Sequence, residues 1–368
     1  MIKVLSIFGT RPEAIKMAPV VRELENTEGI ESHVCVTAQH REMLDQVLTL
    51  FNIKPDMDLN LMRPNQTLAE LTAAVFTNLD PVLEDIQPDW VLVQGDTTTV
   101  MAAALAAYYR RIRVGHVEAG LRTHNKWEPF PEEVNRRVAS VTADLHFAPT
   151  KWSRKNLLKE GIPEEAIHVT GNPVIDALYY VADEDVPTMV ADLISGLESR
   201  RLVLVTAHRR ENFGQPIKNI CAALKSLAAR SDVEIVYPVH LNPNVQEPVH
   251  RLLGNIRNIT LLPPLEYLPL VHLMKNASLI LTDSGGIQEE APAFGVPVLV
   301  LRDVTERPEG VQAGTLKLVG TKRQRILSES NYLLNDSKAH SAMAQAVNPF
   351  GDGKAAKKIV EILKTYKD

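Results

Sequence analysis

The sequence predicts an α/β protein built of two doubly wound domains that face a central cleft. Three observations carry this expectation. The chain has 368 residues, and single hydrophobic cores stop growing at about 250–300 residues. Short apolar runs alternate with longer segments of helical period, and strands joined through helices mean parallel βαβ units. The alternation lapses once, around Asp183-Glu184-Asp185-Val186-Pro187, and then restarts.

In the first half the expected strands are Lys3–Phe8, Ser32–Thr37, Trp90–Gln94, Arg113–Glu118, Leu145–Ala148 and His168–Thr170. Helical patterns occupy Pro12–Asn26, Gln66–Ile86, Thr97–Tyr109 and Pro131–Thr142. A linker is expected between Gly171 and Arg200. The second set of strands is Leu202–Thr206, Glu234–Pro238, Thr260–Leu262, Leu279–Thr282, Val298–Leu301 and Leu316–Val319, and Gly353–Thr365 closes as an amphipathic helix. The domains are accordingly expected at 1–171 and 172–352, with 353–368 packing back on the first. Ligands of such sheets bind beyond the carboxyl ends of the strands, so polar residues just after strands are the candidates.

Composition narrows the classes of function. A net charge of −5 with scattered basic residues argues against a nucleic-acid partner. Cys35 and Cys221 have no neighbouring cysteine to suggest a zinc site or disulfide framework, which suits a reducing cytosol. No apolar stretch approaches the ~18 residues of a membrane span. The N-terminus runs straight into a strand without the features of a signal peptide.

Candidate chemistry follows the strand ends. After the first strand, Gly9-Thr10-Arg11-Pro12 leads into a helix with Lys16 one turn in, an arrangement suited to an anion and equally compatible with a capped helix. No dinucleotide-binding glycine pattern or Walker loop is present. Asp96 follows the third strand, where an N-cap is its commonest structural role. Glu118 follows the fourth, in a glycine-bracketed turn without an obvious structural partner. Glu132 and Glu133 start the next helix, either as dipole complement or as part of a general acid/base set. In the second half His208 with Arg209 and Arg210, and then His240, come after strands.

Thr282-Asp283-Ser284-Gly285-Gly286 runs from a strand into a helix whose amides can cradle a diphosphate, with Glu290 one turn on for ribose hydroxyls. Arg302 and Arg307 follow the next strand as possible cationic support. Asp56-Met57-Asp58 has the spacing of a metal-binding Asp-x-Asp but is read as a solvated loop.

Taken in order, Phe8–Pro19, Thr37–Val47, Gly95–Thr99, Gly115–Thr123, Pro131–Arg136, Thr206–Asn212, Tyr237–Pro243, Thr282–Pro292, Glu306–Glu309 and Asn348–Gly353 closely resemble the non-hydrolysing UDP-N-acetylglucosamine 2-epimerases of bacteria. The resemblance implies two Rossmann-like domains arranged as in GT-B glycosyltransferases, a homodimer, and no metal or nicotinamide cofactor. It implies interconversion of UDP-GlcNAc and UDP-ManNAc through a 2-acetamidoglucal, supplying activated ManNAc for cell-surface polysaccharide. Catalytic roles are implied for Asp96, Glu118, Glu132 and His208, with Lys16 close by. Arg11, Ser284, Gly285, Gly286, Glu290 and Arg307 would bind the nucleotide. A second, activating UDP-GlcNAc would meet Gln39, Gln66, Glu132, Arg209 and His240. Glu42 and Asn65 stand where some relatives carry glutamine and arginine, which should weaken that activating site, and Glu128 replaces a frequent serine. Rival readings are a hydrolysing 2-epimerase, an inverting glycosyltransferase on the same fold, and a non-catalytic nucleotide-sugar sensor.

Overall fold

The computed structural model describes residues 1–38, 41–63 and 65–366, apart from the side chain of Glu42. Gln39 therefore lies outside the described residues. The chain divides into two compact units, one formed by residues 1–177 together with the segment from Phe350 onward, the other by Leu178–Pro349.

In the first unit β1 (Ile2–Phe8), β2 (Ile30–Val36), β3 (Met57–Asp58), β4 (Trp90–Gln94), β5 (Arg113–Val117), β6 (Leu145–Ala148) and β7 (Ile167–Val169) form one sheet in the order β3-β2-β1-β4-β5-β6-β7. All neighbours pair in parallel. Parallel strands covered on both faces read as unbroken apolar runs, and Val4, Leu5, Ile7, Phe8, Val91, Leu92 and Val93 are all fully buried. Each such side chain contributes roughly 1.5–3 kcal/mol by leaving water.

Local signals start the helices. Thr67 accepts a hydrogen bond from the Glu70 amide at 3.2 Å while the Glu70 carboxylate takes the Thr67 amide at 2.8 Å, a reciprocal cap for Leu68–Ile86. Thr97 and Thr150 cap Thr98–Tyr109 and Lys151–Lys159. The final helix, Ala355–Thr365, belongs to this unit: its first amides donate to Asp176, and Tyr366 beyond its end meets Trp90 edge-on at 5.0 Å.

In the second unit β8 (Arg201–Thr206), β9 (Val233–Pro238), β10 (Ile259–Leu262), β11 (Leu279–Thr282), β12 (Val298–Val300) and β13 (Leu316–Leu318) form a parallel sheet in the order β10-β9-β8-β11-β12-β13. Both sheets thus reverse direction at the same place, between the first and fourth strands of each unit, which is the doubly wound arrangement. Beyond the carboxyl ends of β1 and β4, and of β8 and β11, lies the switch point of each sheet.

Two local expectations change. The stretch assigned to a linker holds two helices, Pro173–Ala182 and Thr188–Ser195, and the boundary between units falls inside the first. Asp56-Met57-Asp58 is not a free loop: Met57 and Asp58 pair with β2, the Asp56 carboxylate caps the Val34 amide at 2.8 Å, and Asp58 bonds Arg41. Two residues of strand are too few for alternation to show in a sequence. Among the described residues no helix is long and apolar enough to cross a membrane.

Candidate active site

At the first switch point β1 ends against Gly9, where a Cβ would stand 2.0 Å from the Thr37 hydroxyl. The turn is tied down by Glu13, whose buried carboxylate accepts the Gly9 and Thr10 amides at 3.0 and 2.7 Å and the Thr97 hydroxyl at 2.6 Å. Burial raises the Glu13 pKa, against the pull of those donors. Glu13 therefore joins the turn after β1 to the turn after β4. Arg11 opens the helix Arg11–Glu25 and makes no ion pair among the described residues.

One helical turn on, Lys16 reaches Glu118 beyond β5, at 2.6 and 2.7 Å from its two oxygens. Asn172 donates to Oε1 at 2.8 Å and Gln94 donates to Oε2. Glu118 is 6% exposed and holds a left-handed backbone, φ 63°. A side chain in that region is sparsely populated and persists only where its surroundings hold it. Two contacts bring the turns after β4 and β5 together. The Gly95 amide donates to Val117 O at 3.0 Å, and His116 Nε2 donates to Gly95 O at 2.7 Å. Burial holds His116 down to about 4, so the imidazole is neutral at physiological pH.

Asp96 does not cap the helix that follows it. Thr97 takes that position, and the Asp96 carboxylate instead accepts Arg136 Nε at 2.9 Å and Nη2 at 2.5 Å. Arg136 also pairs with Glu133, whose fully buried carboxylate accepts the Thr123 and His124 amides, each at 3.0 Å. Glu132, one residue earlier, has a buried Oε2 with no hydrogen bond among the described residues. The two glutamates thus differ: Glu133 folds the loop before the helix, while Glu132 retains an unsatisfied oxygen.

At the second switch point Asp283, after β11, receives the His208 and Arg209 amides beyond β8. His208 stacks on His240, with ring centroids 5.2 Å apart and planes 12° apart. Burial and the neighbouring His240 and Arg209 lower the His208 pKa, while Asp283 pulls it up. Ser284 stands at the N-cap of the helix Gly285–Glu290, and a Cβ on Gly285 would come 3.0 Å from the Arg307 guanidinium, so glycine here lets that cation lie against the backbone. Arg307 Nε donates to Glu289 at 2.7 Å. Glu290 accepts the Tyr267 hydroxyl at 2.7 Å through Oε1.

A family model described as UDP-N-acetylglucosamine 2-epimerase matches residues 22–364. This chain belongs to that family. A UDP-N-acetylglucosamine 2-epimerase of Salmonella typhimurium is 56% identical over 372 residues, covering 99% of each chain. The Escherichia coli K12 enzyme of that name is 55% identical over 369 residues, covering 98% of each. The crystal structure of UDP-GlcNAc 2-epimerase from Neisseria meningitidis bound to UDP-GlcNAc superposes with a TM-score of 0.90 at 53% identity, covering 99% of this chain and 100% of that one. The protein is an isomerase by family.

Within the epimerase's first unit the structure gathers Lys16 and Glu118 directly and links Asp96 to Glu118 through Gly95 and His116. In the second it gathers His208, His240 and Asp283, and separately Gly285 with Arg307. Gln66 lies just before Leu68–Ile86, where its Oε1 accepts the Arg63 amide at 3.4 Å. Arg302 is not available as a phosphate ligand: it is 5% exposed and bonds Glu211 at 2.5 Å and both oxygens of Glu306 at 2.8 and 3.0 Å. Burial pushes the Glu306 carboxyl up, but Arg302 overrides it and holds the group down at about 2.

Several contributors went unassigned in the sequence: Gln94, Asn172, Arg136, Glu13 and Asp283. Each adjoins a motif residue or a strand end, but nothing local says which long-range partner it takes. Among the described residues no three His, Cys, Asp or Glu side chains gather as metal ligands.

Proposed function

We propose that this epimerase interconverts UDP-GlcNAc and UDP-ManNAc without hydrolysis, by eliminating UDP and adding it back. The supporting observation is the set Asp96, Glu118 and Glu132, each in different company: Arg136 on the first, Lys16 with Gln94 and Asn172 on the second, and, among the described residues, no hydrogen bond on Oε2 of the third. Inversion at C2 requires a proton to leave one face and another to arrive on the opposite face, hence two groups in opposite protonation states.

The ground-state C2 proton is not acidic. As the C1–O bond breaks with its electron pair going to UDP, positive charge grows at C1 and the C2 proton passes to a carboxylate. A C1=C2 bond forms, giving 2-acetamidoglucal beside UDP. Protonation of C2 from the other face and return of the diphosphate to C1 complete the inversion. Arg11, Arg307, Ser284, Gly285 and Gly286 would hold the departing diphosphate, where preorganised donors stabilise the developing charge. Glu290 would take the ribose and His208 would assist at the reacting end.

Activation by a second UDP-GlcNAc is proposed on Gln66, Arg209 and His240, supported by an Arg209 side chain without an ion pair among the described residues. A homodimer is supported by the exposed apolar cluster of Tyr108, Tyr109 and Val141, and a reducing cytoplasmic setting by two buried free cysteines.

The deciding experiment incubates the protein with UDP-GlcNAc in deuterated water with EDTA and follows proton NMR. UDP-ManNAc carrying deuterium at C2, with little free sugar, is the expected product. Accumulation of UDP and free ManNAc would move the protein to the hydrolysing class. Binding without turnover would leave a transferase or a sensor.

A further inference from the structure

The elimination scheme assigns nothing to Asp283, yet this carboxylate is fully buried at the end of β11. Its Oδ2 accepts three donors: the His208 amide at 2.9 Å, the Arg209 amide at 2.8 Å and Asn212 Nδ2 at 2.8 Å. The other oxygen, Oδ1, is buried without a hydrogen bond among the described residues, and His208 Nδ1 stands 3.8 Å from it. A buried carboxylate oxygen left unsatisfied is costly, and closing by about 1 Å brings this pair to hydrogen-bond length. The ring is already set for that closure. It stacks on His240, whose Nδ1 is occupied by the Asn242 amide at 3.0 Å. His208 Nε2, on the opposite edge, makes no hydrogen bond among the described residues.

We propose that Asp283 is the positioning residue for His208, accepting its Nδ1–H so that Nε2 is the ring atom presented to the ligand. One carboxylate thereby does two things. Through Oδ2 it fixes the backbone that follows β8, and through Oδ1 it fixes the tautomer and the rotation of the imidazole. A carboxylate that orients a catalytic imidazole in this way also stabilises the imidazolium. The groups facing the His208 ring are Asp283, His240 and Arg209, of which only Asp283 supports the protonated form. The proposal rests on the reading of His208 as a catalytic group.

The test uses the full-length protein with histidine-selective 15N labelling. Expected in the wild type, above the titration of His208, is a proton on Nδ1. In Asp283→Asn the amide oxygen can keep the three donors while its NH2 faces the ring, so the proton moves to Nε2. That variant should bind UDP with a Kd within about twofold of wild type, while kcat falls between about 10²- and 10⁴-fold. The limb of its pH profile that reports His208 should move to lower pH. His208→Asn should lose a comparable factor, and the double variant little more. A wild-type proton on Nε2, or a folded Asp283→Asn with wild-type kcat, would overturn the proposal. If Asp283→Asn does not fold, the wild-type tautomer decides alone. Full activity in His208→Asn would instead sink the catalytic reading of His208, and the tautomer would still report on Asp283.

Discussion

The ammonium of Lys16 touches both carboxylate oxygens of Glu118, at 2.6 and 2.7 Å, although 102 residues separate them in the chain. The pair is mostly buried, with 19% and 5% of the two side chains exposed. Removing one partner of such a pair strands the other charge, whereas removing both does not. Lys16→Met should therefore lower unfolding free energy by about 3 kcal/mol. The double variant Lys16→Met/Glu118→Gln should recover part of that loss without recovering turnover. Glu118→Gln alone should lower kcat by on the order of 10²-fold or more. Urea denaturation and initial rates on UDP-GlcNAc measure the two effects separately.

His116 makes stability depend on pH with a definite sign. Burial lowers its folded pKa from 6.5 to about 4, so between those values the unfolded chain binds a proton that the native one refuses. Its contribution is complete above pH 6.5 and is lost as pH falls toward 4. Relative to His116→Gln, the wild type should lose roughly 3 kcal/mol between pH 7 and pH 4, at 1.36 kcal/mol per pKa unit. Asp176, raised to about 6 chiefly by burial, works in the opposite direction but is common to both proteins and cancels. Denaturant midpoints at several pH values would show the slope, and parallel curves would refute it.

Two arginines after β12 should separate by what they break. Arg302→Met takes the hydrogen-bonded cation from Glu211 and Glu306, leaving Glu306 the more distant Arg307 at 3.7 Å, and should cost about 3 kcal/mol of stability with KM nearly unchanged. Arg307→Met should raise KM for UDP-GlcNAc by about 10-fold or more, the worth of a charge-assisted hydrogen bond. The reverse pattern would mean that the nucleotide roles are misassigned.

Gly120 has φ 90°, and a Cβ there would stand 2.4 Å from Ser153 O. Gly120→Ala should cost about 2–4 kcal/mol, from the left-handed backbone and the clash with main chain together. Because Gly120 lies two residues beyond Glu118, kcat should fall even at temperatures where the variant remains folded. A thermal melt beside a rate measurement settles both.

The alternation of apolar runs with helical segments was enough to expect twelve of the thirteen strands, because buried parallel strands such as Val91-Leu92-Val93 are apolar throughout. β3 escaped because two residues carry no period. The site was legible where a residue's position relative to a strand end implied exposure to ligand: Asp96, Glu118, His208 and Ser284 all follow strands. What the sequence did not disclose was partnership. Glu118 takes Lys16 and Asn172, and Arg302 takes Glu211 and Glu306, through contacts that only the folded chain creates. The structural alternative for Asp96, an N-cap, is excluded because Thr97, one residue on, takes that position.

The first compact unit is written in two pieces, with residues 178–349 between them. A nascent chain therefore cannot complete that unit when its first seven strands emerge from the ribosome. Ile359, Val360 and Leu363, fully or nearly buried in the final structure, are translated only after the whole second unit, which at ~5–20 residues per second is a delay of about 9–35 s. During that interval the apolar surface they cover is open to chaperones. The helix Ala355–Thr365, made after the second unit, thus closes a unit begun before it.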